Sequence, residues 1–575
     1  MSLSRSSCQA WSLYSRHARP PSSFITCAFA PHIAPLSYKA LRNTPKDSPV
    51  SSKSQRREYS SFKRYTMDQS LFDDLKSQPR DAQLFRNGDA KAQAPKKQTA
   101  FIALGSNLGD RVAMIEQACR EMDARGIKVK RTSSLWETEP MYVLDQDRFV
   151  NGACEVETEL EPLPLLDALQ DIEKSMGRQK LVDKGPRNID LDILLYGDES
   201  HPQVVSHPRL QIPHPLIAER EFVLRPLAEL IPHRALDAAR PWKLIQDHLN
   251  ELPPAAGGRA EPLSTLTPLG PSATPLRALR PARSTQVMAI LNVTPDSFSD
   301  GGVHLPQTQA ETSAEVSSLS SSSPTYLAAL RSTIQHFIAS GATLIDVGGQ
   351  STAPGAPEVS AAEELSRVLP AIRLIRGMPE AARMAISVDT YRAGVAEAAV
   401  AAGASIVNDV SAGQLDAAML PTVARLGCTV CLMHMRGTPA TMSGLNAYAD
   451  GLVPTLAGEL RARVAAAEAA GVRRWRIVLD PGLGFAKVGD QNLEVLRHLP
   501  ELRRWPGLEG LPWLLGSSRK SFVGKITGVP RPGDRIHGTA ATVTAAVQGG
   551  ADIVRVHDVL EMGQVVKMAD AIFRY

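Results

Sequence analysis

Eight short apolar runs recur through the second half of the chain, and most are followed by a stretch with the period of an amphipathic helix. They occupy residues 287–292, 343–348, 384–389, 405–409, 429–434, 476–480, 512–516 and 552–557. Near-continuous apolar strands that alternate with helices indicate parallel βα units, and eight units are the count of a (β/α)8 barrel. We therefore predict an α/β TIM barrel over residues 286–575, with a disordered Ser-rich insertion at residues 305–325.

The pattern between residues 98 and 250 is a mixture of short strands of period two and two amphipathic helices. One helix is opened by Asp110, and the other runs from Pro162 to Met176. This mixture predicts an α+β domain of ferredoxin-like type. Residues 251–285 are rich in Pro, Gly, Ser and Thr and are predicted to be an interdomain linker, and the polar residues 67–97 are predicted to be a disordered linker.

Residues 1–66 have the composition of a targeting segment. They contain eleven Lys or Arg, two acidic residues and fifteen serines, and Arg57 to Ser61 resembles a cleavage site of matrix peptidases. This composition is typical of a mitochondrial presequence and predicts a location in the mitochondrial matrix. The alternative is a disordered basic tail on a cytoplasmic protein.

Charge and hydropathy argue against two classes of protein, nucleic-acid-binding proteins and membrane-spanning proteins. The net charge is +4, and without the basic first segment the chain is slightly acidic, so a nucleic-acid partner is not predicted. No uncharged apolar run reaches the roughly 18 residues of a membrane span. Cys428 and Cys431 are predicted to be packing residues, because residues three apart on a strand face opposite sides.

Polar residues end the eight barrel runs. They are Asn292, Asp346, Asp389, Asn408, Asp409, His434, Asp480, Ser518, Lys520, Arg555 and His557. The carboxyl ends of the strands are the face on which barrel enzymes build their active sites. A functional rim is therefore predicted there.

Asp190 and Asp192 alternate with Ile189, Leu191 and Ile193 along one predicted strand. The two carboxylates then share the face opposite the core and are able to bind Mg²⁺ together. A surplus of basic residues surrounds them in the sequence, namely Arg178, Lys180, Arg187, His214 and Arg220. Such a surplus indicates a polyphosphate substrate, although no P-loop motif is present.

Four segments of the first domain resemble 6-hydroxymethyl-7,8-dihydropterin pyrophosphokinase. They are LGSNLGD (104–110), residues 137–151, GPRNIDLDILLYG (185–197) and IPHPLIAEREFVLRPL (212–227). The resemblance implies two Mg²⁺ ions at Asp190 and Asp192. It implies ATP binding by Arg178, Lys180, Arg187, His214 and Arg220, of which Arg178 and Arg187 are also catalytic. It implies a pterin pocket formed by Thr138, Phe149, Asn151 and Phe222, and Lys184 stands where the family often has an aromatic residue.

Seven segments of the barrel are similar to dihydropteroate synthase. They are ILNVTPDSFSDGG (290–302), DVGGQSTAPGA (346–356), SVDT (387–390), VNDVSAG (407–413), LDPGLGFAK (479–487), GSSRKSF (516–522) and RVHDV (555–559). The resemblance implies pterin binding by Asp389, Asn408, Asp480 and Lys520. It implies diphosphate binding by Asn292, Ser518, Arg555 and His557, with one Mg²⁺ at Asn292. It implies a p-aminobenzoate pocket of Thr352, Pro354, Phe485 and Lys520, and catalytic roles for Lys520, Arg555 and His557. Ala353 replaces the arginine that is usual in the family.

Together the two resemblances imply a bifunctional folate-pathway transferase. It would transfer pyrophosphate from ATP to the hydroxymethyl pterin, giving AMP, and then condense the product with p-aminobenzoate to 7,8-dihydropteroate, releasing diphosphate. The expected partners are these small molecules and a second copy of the chain, bound through the barrel. Two alternatives remain at this point: one module is a degenerate pterin-binding or scaffold unit, or the barrel is a pterin-dependent methyltransferase domain.

Overall fold

The computed structural model describes residues 97–141, 145–177, 185–237, 239–253, 263–294, 323–351 and 358–575. All of them belong to one compact unit, residues 90–575. The predicted presequence, nearly all of the predicted linker at 67–97 and most of the predicted insertion at 305–325 lie outside the described residues. The last residues of that insertion, from Pro324 onward, begin a helix.

The first domain is built on an antiparallel sheet. Its strands are β1 (Gln98–Ser106), β2 (Lys128–Thr132), β3 (Leu135–Thr138), β4 (Phe149–Thr158), β5 (Asp190–Tyr196), β8 (Ser264–Thr267) and β9 (Leu276–Arg277). They are ordered β5-β1-β4-β3-β8-β9, and β2 pairs with β4. A separate hairpin is formed by β6 (Val205–His207) and β7 (Leu210–Ile212).

Helices cover both faces of this sheet, because successive side chains of a strand point to opposite sides. Ile102 and Leu104 of β1 pack with α1 (Arg111–Ala124) and α2 (Pro162–Ser175), whereas Phe101 packs with the helices of the other face. Those helices are α3 (Glu221–Leu230) and α4 (Ile245–Asn250). The α+β prediction is confirmed, but it was incomplete, since the sequence interpretation counted two helices.

The structure differs from the prediction of a linker at residues 251–285. Within this segment, β8 pairs with β3 and so extends the first sheet. Leu269 and Leu276 then pack among apolar side chains inside the barrel. Pro and Gly disfavour a regular helix, but they do not prevent burial of the segment. Its leucines are buried because the apolar cores of both domains are within reach.

The second domain is a closed parallel barrel. Its strands are β10 (Gln286–Asn292), β11 (Leu344–Gly348), β12 (Ala385–Asp389), β13 (Ile406–Asp409), β14 (Thr429–Met433), β15 (Ile477–Asp480), β16 (Leu514–Leu515) and β17 (Ile553–Val556). Their order is β15-β14-β13-β12-β11-β10-β17-β16, and a parallel bridge between Leu479 and Trp513 joins the two ends. All eight predicted strands are present, so the barrel prediction is confirmed.

Helices surround the barrel. They are α5 (Pro324–Ala339), α6 (Ala361–Arg376), α7 (Ala393–Ala401), α8 (Met419–Leu426), α9 (Leu452–Ala469), α10 (Asp490–Arg497), α11 (Leu499–Leu502), α12 (Ser521–Thr527), α13 (Ile536–Gly549) and α14 (Val559–Phe573). Outward strand residues pack against them, and inward residues fill the barrel. As the strand alternation predicted, Cys428 belongs to the outer cluster and Cys431 to the inner one. No helix among the described residues is long and apolar enough to cross a membrane.

The first domain packs against the amino ends of the barrel strands. Ser405 and Thr429, which lie at the starts of β13 and β14, donate hydrogen bonds of 2.6 Å to the carbonyls of Leu269 and Pro268 respectively. Trp475, just before β15, is buried in the apolar cluster of the first domain. The predicted rim therefore lies at the opposite end of the barrel from the contact between the domains.

Candidate active sites

One pocket of the first domain contains nine of the residues predicted for the kinase site. They are Thr138, Phe149, Asn151, Arg187, Asp190, Asp192, His214, Arg220 and Phe222. Strands β1, β3, β4 and β5 supply its floor, and the segment around His214 and the start of α3 supply its wall. The predicted residues Arg178 and Lys180, and also Lys184, lie outside the described residues, so their roles stay predictions.

Two aromatic rings and a buried amide line one part of this pocket. Asn151 donates from Nδ2 to Thr138 Oγ1 at 2.7 Å, and both side chains are buried. The Arg187 guanidinium lies 5.7 Å from the centre of the Phe149 ring, and the Arg220 guanidinium lies 5.6 Å from that of Phe222. Aromatic surfaces beside a few oriented polar groups suit a flat heterocycle.

The two carboxylates share one face of β5, as the alternation predicted. Asp190 and Asp192 are partly exposed, while Leu191 between them is buried. Arg187 Nη1 is 2.7 Å from Asp190 Oδ2. Burial, reinforced by the charge of Arg220, lowers the pKa of His214, so its ring is neutral at pH 7.

This donor set fits magnesium. Mg²⁺ prefers hard oxygen ligands and commonly binds through one or two carboxylates plus water and substrate phosphates. Among the described residues no cluster of three or more His, Cys, Asp or Glu side chains is arranged to hold a metal. A metal at Asp190 and Asp192 would therefore depend on phosphate and water oxygens to complete its shell.

Asn107 is a residue of this site that the sequence analysis did not single out. It is buried, its Oδ1 accepts from the backbone N–H of Arg187 at 2.8 Å, and its Nδ2 donates to Gln146 Oε1 at 3.1 Å. It thereby ties the loop before Phe149 to the loop that carries Arg187. The signal was present, because Asn107 is part of the LGSNLGD motif.

In the barrel, a buried ion-pair network lies at the predicted rim. Arg555 donates from Nε to Asp346 Oδ2 at 2.6 Å and from Nη2 to Asp389 Oδ2 at 2.7 Å. Asn408 Nδ2 donates to the same oxygen of Asp346 at 3.0 Å. Asp346 is fully buried; the sequence placed it at the rim but assigned it no role. Burial raises the pKa of Asp389 to about 7, against the lowering effect of the Arg555 guanidinium.

Lys520 contacts the loop that follows β15. Its Nζ donates to the Leu483 carbonyl and lies 4.6 Å from the centre of the Phe485 ring. Burial lowers the pKa of Lys520 to about 8, although the Asp480 carboxylate opposes this. Asp480 Oδ1 accepts from the Gly482 N–H at 2.7 Å, and burial raises the pKa of Asp480. A cation, an aromatic ring and a carboxylate thus share one side of the rim.

His557 is neutral in this site. Its Nδ1 is 3.0 Å from Ser518 Oγ, and burial together with Arg519 and Arg555 lowers its pKa to about 3. It is therefore suited to hydrogen bonding rather than to supplying charge. Asn292, the other residue predicted to contact diphosphate, ends β10 and is exposed.

Three rim loops contain a non-glycine residue with left-handed backbone. Ala412, Ala486 and Arg519 have φ of 50°, 51° and 60°, and no other non-glycine residue among those described has a positive φ. Such conformations persist only where the surroundings hold them, and they concentrate at functional sites. Arg519 is held by a bidentate ion pair with Asp558, which joins the Ser518–Lys520 loop to the end of β17. The predicted pocket residues Thr352 and Pro354, and also Ala353, lie outside the described residues.

Comparisons with known families cover both domains. Residues 101–232 match the family described as 7,8-dihydro-6-hydroxymethylpterin-pyrophosphokinase, and residues 288–557 match the family described as pterin binding enzyme.

Relatives that contain both domains are also similar to the chain. The folic acid synthesis protein of Pneumocystis carinii is 44% identical over 485 residues, which cover 83% of this chain but only 60% of that protein. The chain thus spans less than two thirds of that fungal relative. The mitochondrial folate synthesis bifunctional protein of Pisum sativum is 41% identical over 487 residues, which cover 82% of this chain and 89% of that protein.

The wild-type HPPK-DHPS crystal structure of Plasmodium falciparum with pteroate superposes with a TM-score of 0.66. The match covers 84% of this chain and 99% of that one at 21% identity. At that identity the likeness establishes the fold alone.

Proposed function

Because the chain belongs to the family of bifunctional folate synthesis proteins, which join a pyrophosphokinase domain to a pterin-binding enzyme domain, we propose that it catalyses two consecutive transferase reactions. The first transfers the pyrophosphoryl group of ATP to 6-hydroxymethyl-7,8-dihydropterin and releases AMP. The second joins the pterin diphosphate to p-aminobenzoate, giving 7,8-dihydropteroate and diphosphate. The observation that carries the proposal is the assembly of nine predicted kinase residues in one pocket and of the Arg555 network at the barrel rim.

In the kinase reaction, the hydroxymethyl oxygen of the pterin attacks the β-phosphorus of ATP and loses its proton, and the bond from that phosphorus to the α-phosphate oxygen breaks, which releases AMP. We propose that Phe149, Phe222 and Asn151 hold the pterin, and that Arg187, Arg220 and His214 bind ATP. Arg178 and Lys180 are proposed to join them. Mg²⁺ bound at Asp190 and Asp192 would neutralise the charge of the phosphates, and we propose two such ions.

In the synthase reaction, the bond between the pterin methylene and the diphosphate oxygen breaks while the amine of p-aminobenzoate attacks the methylene, and the amine proton is lost. We propose that Asp389, Asn408, Asp480 and Lys520 bind the pterin. Arg555, Ser518 and the neutral His557 would donate hydrogen bonds to the departing diphosphate, with Asn292 and one Mg²⁺ beside it. Donors placed where charge develops lower the barrier most. Phe485, Lys520, Thr352 and Pro354 are proposed to form the p-aminobenzoate pocket.

A coupled assay tests the proposal. Purified full-length protein is incubated with ATP, Mg²⁺, the hydroxymethyl pterin and p-aminobenzoate, and AMP and dihydropteroate are measured. We expect both products. AMP without dihydropteroate would support the alternative in which the barrel is a degenerate unit, and methyl transfer from a methylated pterin would support the methyltransferase alternative.

Location and assembly are further proposals. The two plant relatives named as mitochondrial support a mitochondrial matrix location with residues 1–66 as presequence; a cytoplasmic protein is the alternative. We also propose a homodimer through the barrel, because the last helix, α14, exposes the apolar side chains of Leu560, Met568 and Ile572. A monomeric mass in light scattering would contradict it.

A further inference from the structure

A buried group of charged side chains lies beneath the synthase loop at residues 481–487. Lys487 is only 4% exposed, and its Nζ is 2.9 Å from His434 Nδ1. The same ammonium donates to the carbonyl of Gly482 at 3.1 Å and to the carbonyl of Phe485 at 3.0 Å. Lys487 is not among the residues proposed to bind substrate. Burying a lysine costs free energy unless its ammonium group is fully hydrogen-bonded.

The number of hydrogen-bond partners matches a charged ammonium. A protonated lysine has three N–H donors, and Lys487 has three acceptors. A neutral amine would have two donors, and its lone pair would face one of these acceptors. On the other side of the ring, His434 Nε2 is 2.8 Å from Glu459 Oε2, which assigns the ring proton to Nε2 and leaves Nδ1 as the acceptor.

Glu459 is itself anchored. It accepts from Arg436 Nη2 at 2.6 Å, and although partial burial raises its pKa, the hydrogen bonds from His434 and Arg436 lower it to about 2. Burial and the charge of Lys487 lower the pKa of His434 to about 4, so this ring is neutral at pH 7. The network therefore has a fixed order: carboxylate, neutral imidazole, ammonium, and then the two loop carbonyls.

The two carbonyls that Lys487 holds bracket the part of the loop that meets Lys520. Leu483, between them, accepts from Lys520 Nζ, and the Phe485 ring contacts the same group. The loop is also strained, because Ala486 has a φ of 51°. Gly482 lies so close to β14 that a Cβ there would be 2.1 Å from the His434 carbonyl oxygen. A strained loop conformation of this kind persists only where surrounding contacts hold it in place.

We infer that Lys487 is a positioning residue for the synthase reaction, whose ammonium holds the loop at residues 482–485 so that Phe485 and Lys520 face the substrates. This inference rests on the proposed synthase function. It assigns Lys487 no contact with substrate. His434 and Glu459 orient Lys487 in turn.

Synthase turnover should depend on the protonation of Lys487. Burial lowers the pKa of Lys487 to about 7; Asp480 and Glu459 act to raise it, and Lys520 and Arg436 act to lower it further. Loss of the proton above that pH would release a loop carbonyl and reduce synthase turnover. Global stability responds in the opposite direction, because a lysine with a lowered folded pKa favours the folded state increasingly as pH rises from about 7 towards the unfolded value. Reduced turnover at pH 8 would therefore not be accompanied by a lower Tm on account of Lys487.

The test is Lys487→Met in the full-length protein, with the exposed Lys525→Met as matched control. We expect synthase kcat to fall and the KM for p-aminobenzoate to rise, together reducing kcat/KM on the order of 10²-fold, while AMP production by the kinase site and the control variant stay unchanged. The alkaline ionisation near pH 7 should disappear from the variant's profile. Wild-type synthase parameters in Lys487→Met, or equal losses of both activities, would overturn the inference.

The wild-type pH profile provides a second measurement, should the methionine variant not fold. Synthase turnover is expected to begin to fall near pH 7 without a fall in Tm, and turnover that stays constant up to about pH 8 would overturn the inference. Absence of synthase activity in the wild-type protein would instead contradict the proposed function, so the two failures are distinguishable.

Discussion

Trp475, two residues before strand β15 of the barrel, donates its indole N–H to Glu116 Oε1 of helix α1 at 3.0 Å, and its side chain is buried in the core of the other domain. Arg476 binds both oxygens of the same carboxylate, at 2.7 and 2.8 Å. The two domains therefore share packing and ion pairs and do not depend on a chain connection alone.

Replacing Trp475 by alanine should destabilise both domains. Removal of a fully buried aromatic side chain costs about 3–5 kcal/mol, and Glu116 would lose the indole N–H as a hydrogen-bond donor. The measurement is the free energy of unfolding from denaturant titration of the full chain. Trp242→Ala, at a position that is 73% exposed, is the control and should change little. Equal stabilities of the two variants would contradict a shared core.

The double substitution Asp190→Asn and Asp192→Asn should abolish pyrophosphoryl transfer. Both side chains are partly exposed, so the fold should survive, but the hard anionic ligands for Mg²⁺ would be lost. AMP release should fall by at least about 10²-fold, the scale of losing one preorganised electrostatic contact. Synthase activity with supplied pterin diphosphate is the internal control, and Glu199→Gln on the exposed turn after β5 is the matched variant. Near wild-type AMP production would refute the metal assignment.

Arg555→Ala should reduce synthase turnover by about two to four orders of magnitude if Arg555 stabilises the developing diphosphate charge. It should also destabilise the barrel by about 3–5 kcal/mol, because Asp346 and Asp389 would be left as buried carboxylates without their cation. Turnover and unfolding are measured on the same preparation.

Arg555→Ala combined with Asp346→Asn separates the two effects, since it removes one stranded charge at a residue that is not proposed to bind substrate. Stability should partly recover while turnover stays low. Recovery of turnover together with stability would mean that Arg555 acts only through the fold. The exposed Arg504→Ala is the control for a lost surface cation.

Ala353→Arg restores the residue usual in the synthase family and should tighten binding of p-aminobenzoate or diphosphate. A cation facing an anionic ligand in a closed site forms a charge-assisted hydrogen bond. Product inhibition by diphosphate and the KM for p-aminobenzoate are the measurements, with Ala362→Arg on the exposed start of α6 as control. No change in either quantity would mean that this loop does not contribute to the second-substrate pocket.

Residues 1–66 should direct a fluorescent fusion to mitochondria, because this segment alone is basic, Ser-rich and poor in acidic residues. The mature amino terminus, read by mass spectrometry, is expected near Ser60. A fusion of residues 67–97 is the control and should stay cytosolic. A cytosolic fusion of residues 1–66 with Met1 intact would refute the presequence.

The elements and motifs of this protein were determined locally by its sequence. The eight barrel strands and the alternation that places Asp190 and Asp192 opposite Leu191 follow from side-chain periodicity, which depends on backbone geometry within a few residues. The rim was predictable for the same reason, since parallel strands end on one face.

Only the tertiary structure decided which groups became partners. Arg555 meets Asp346 across 209 positions of the chain, and Lys487 meets His434 across 53. The Pro-rich segment at residues 263–285 became part of two cores because Leu269 and Leu276 reached apolar space that exists only once the barrel has closed. Burial then set the charges, leaving His557 neutral and lowering the pKa values of Lys487 and Lys520. Desolvation and ion pairing act through distances in space, which no local pattern of residues specifies.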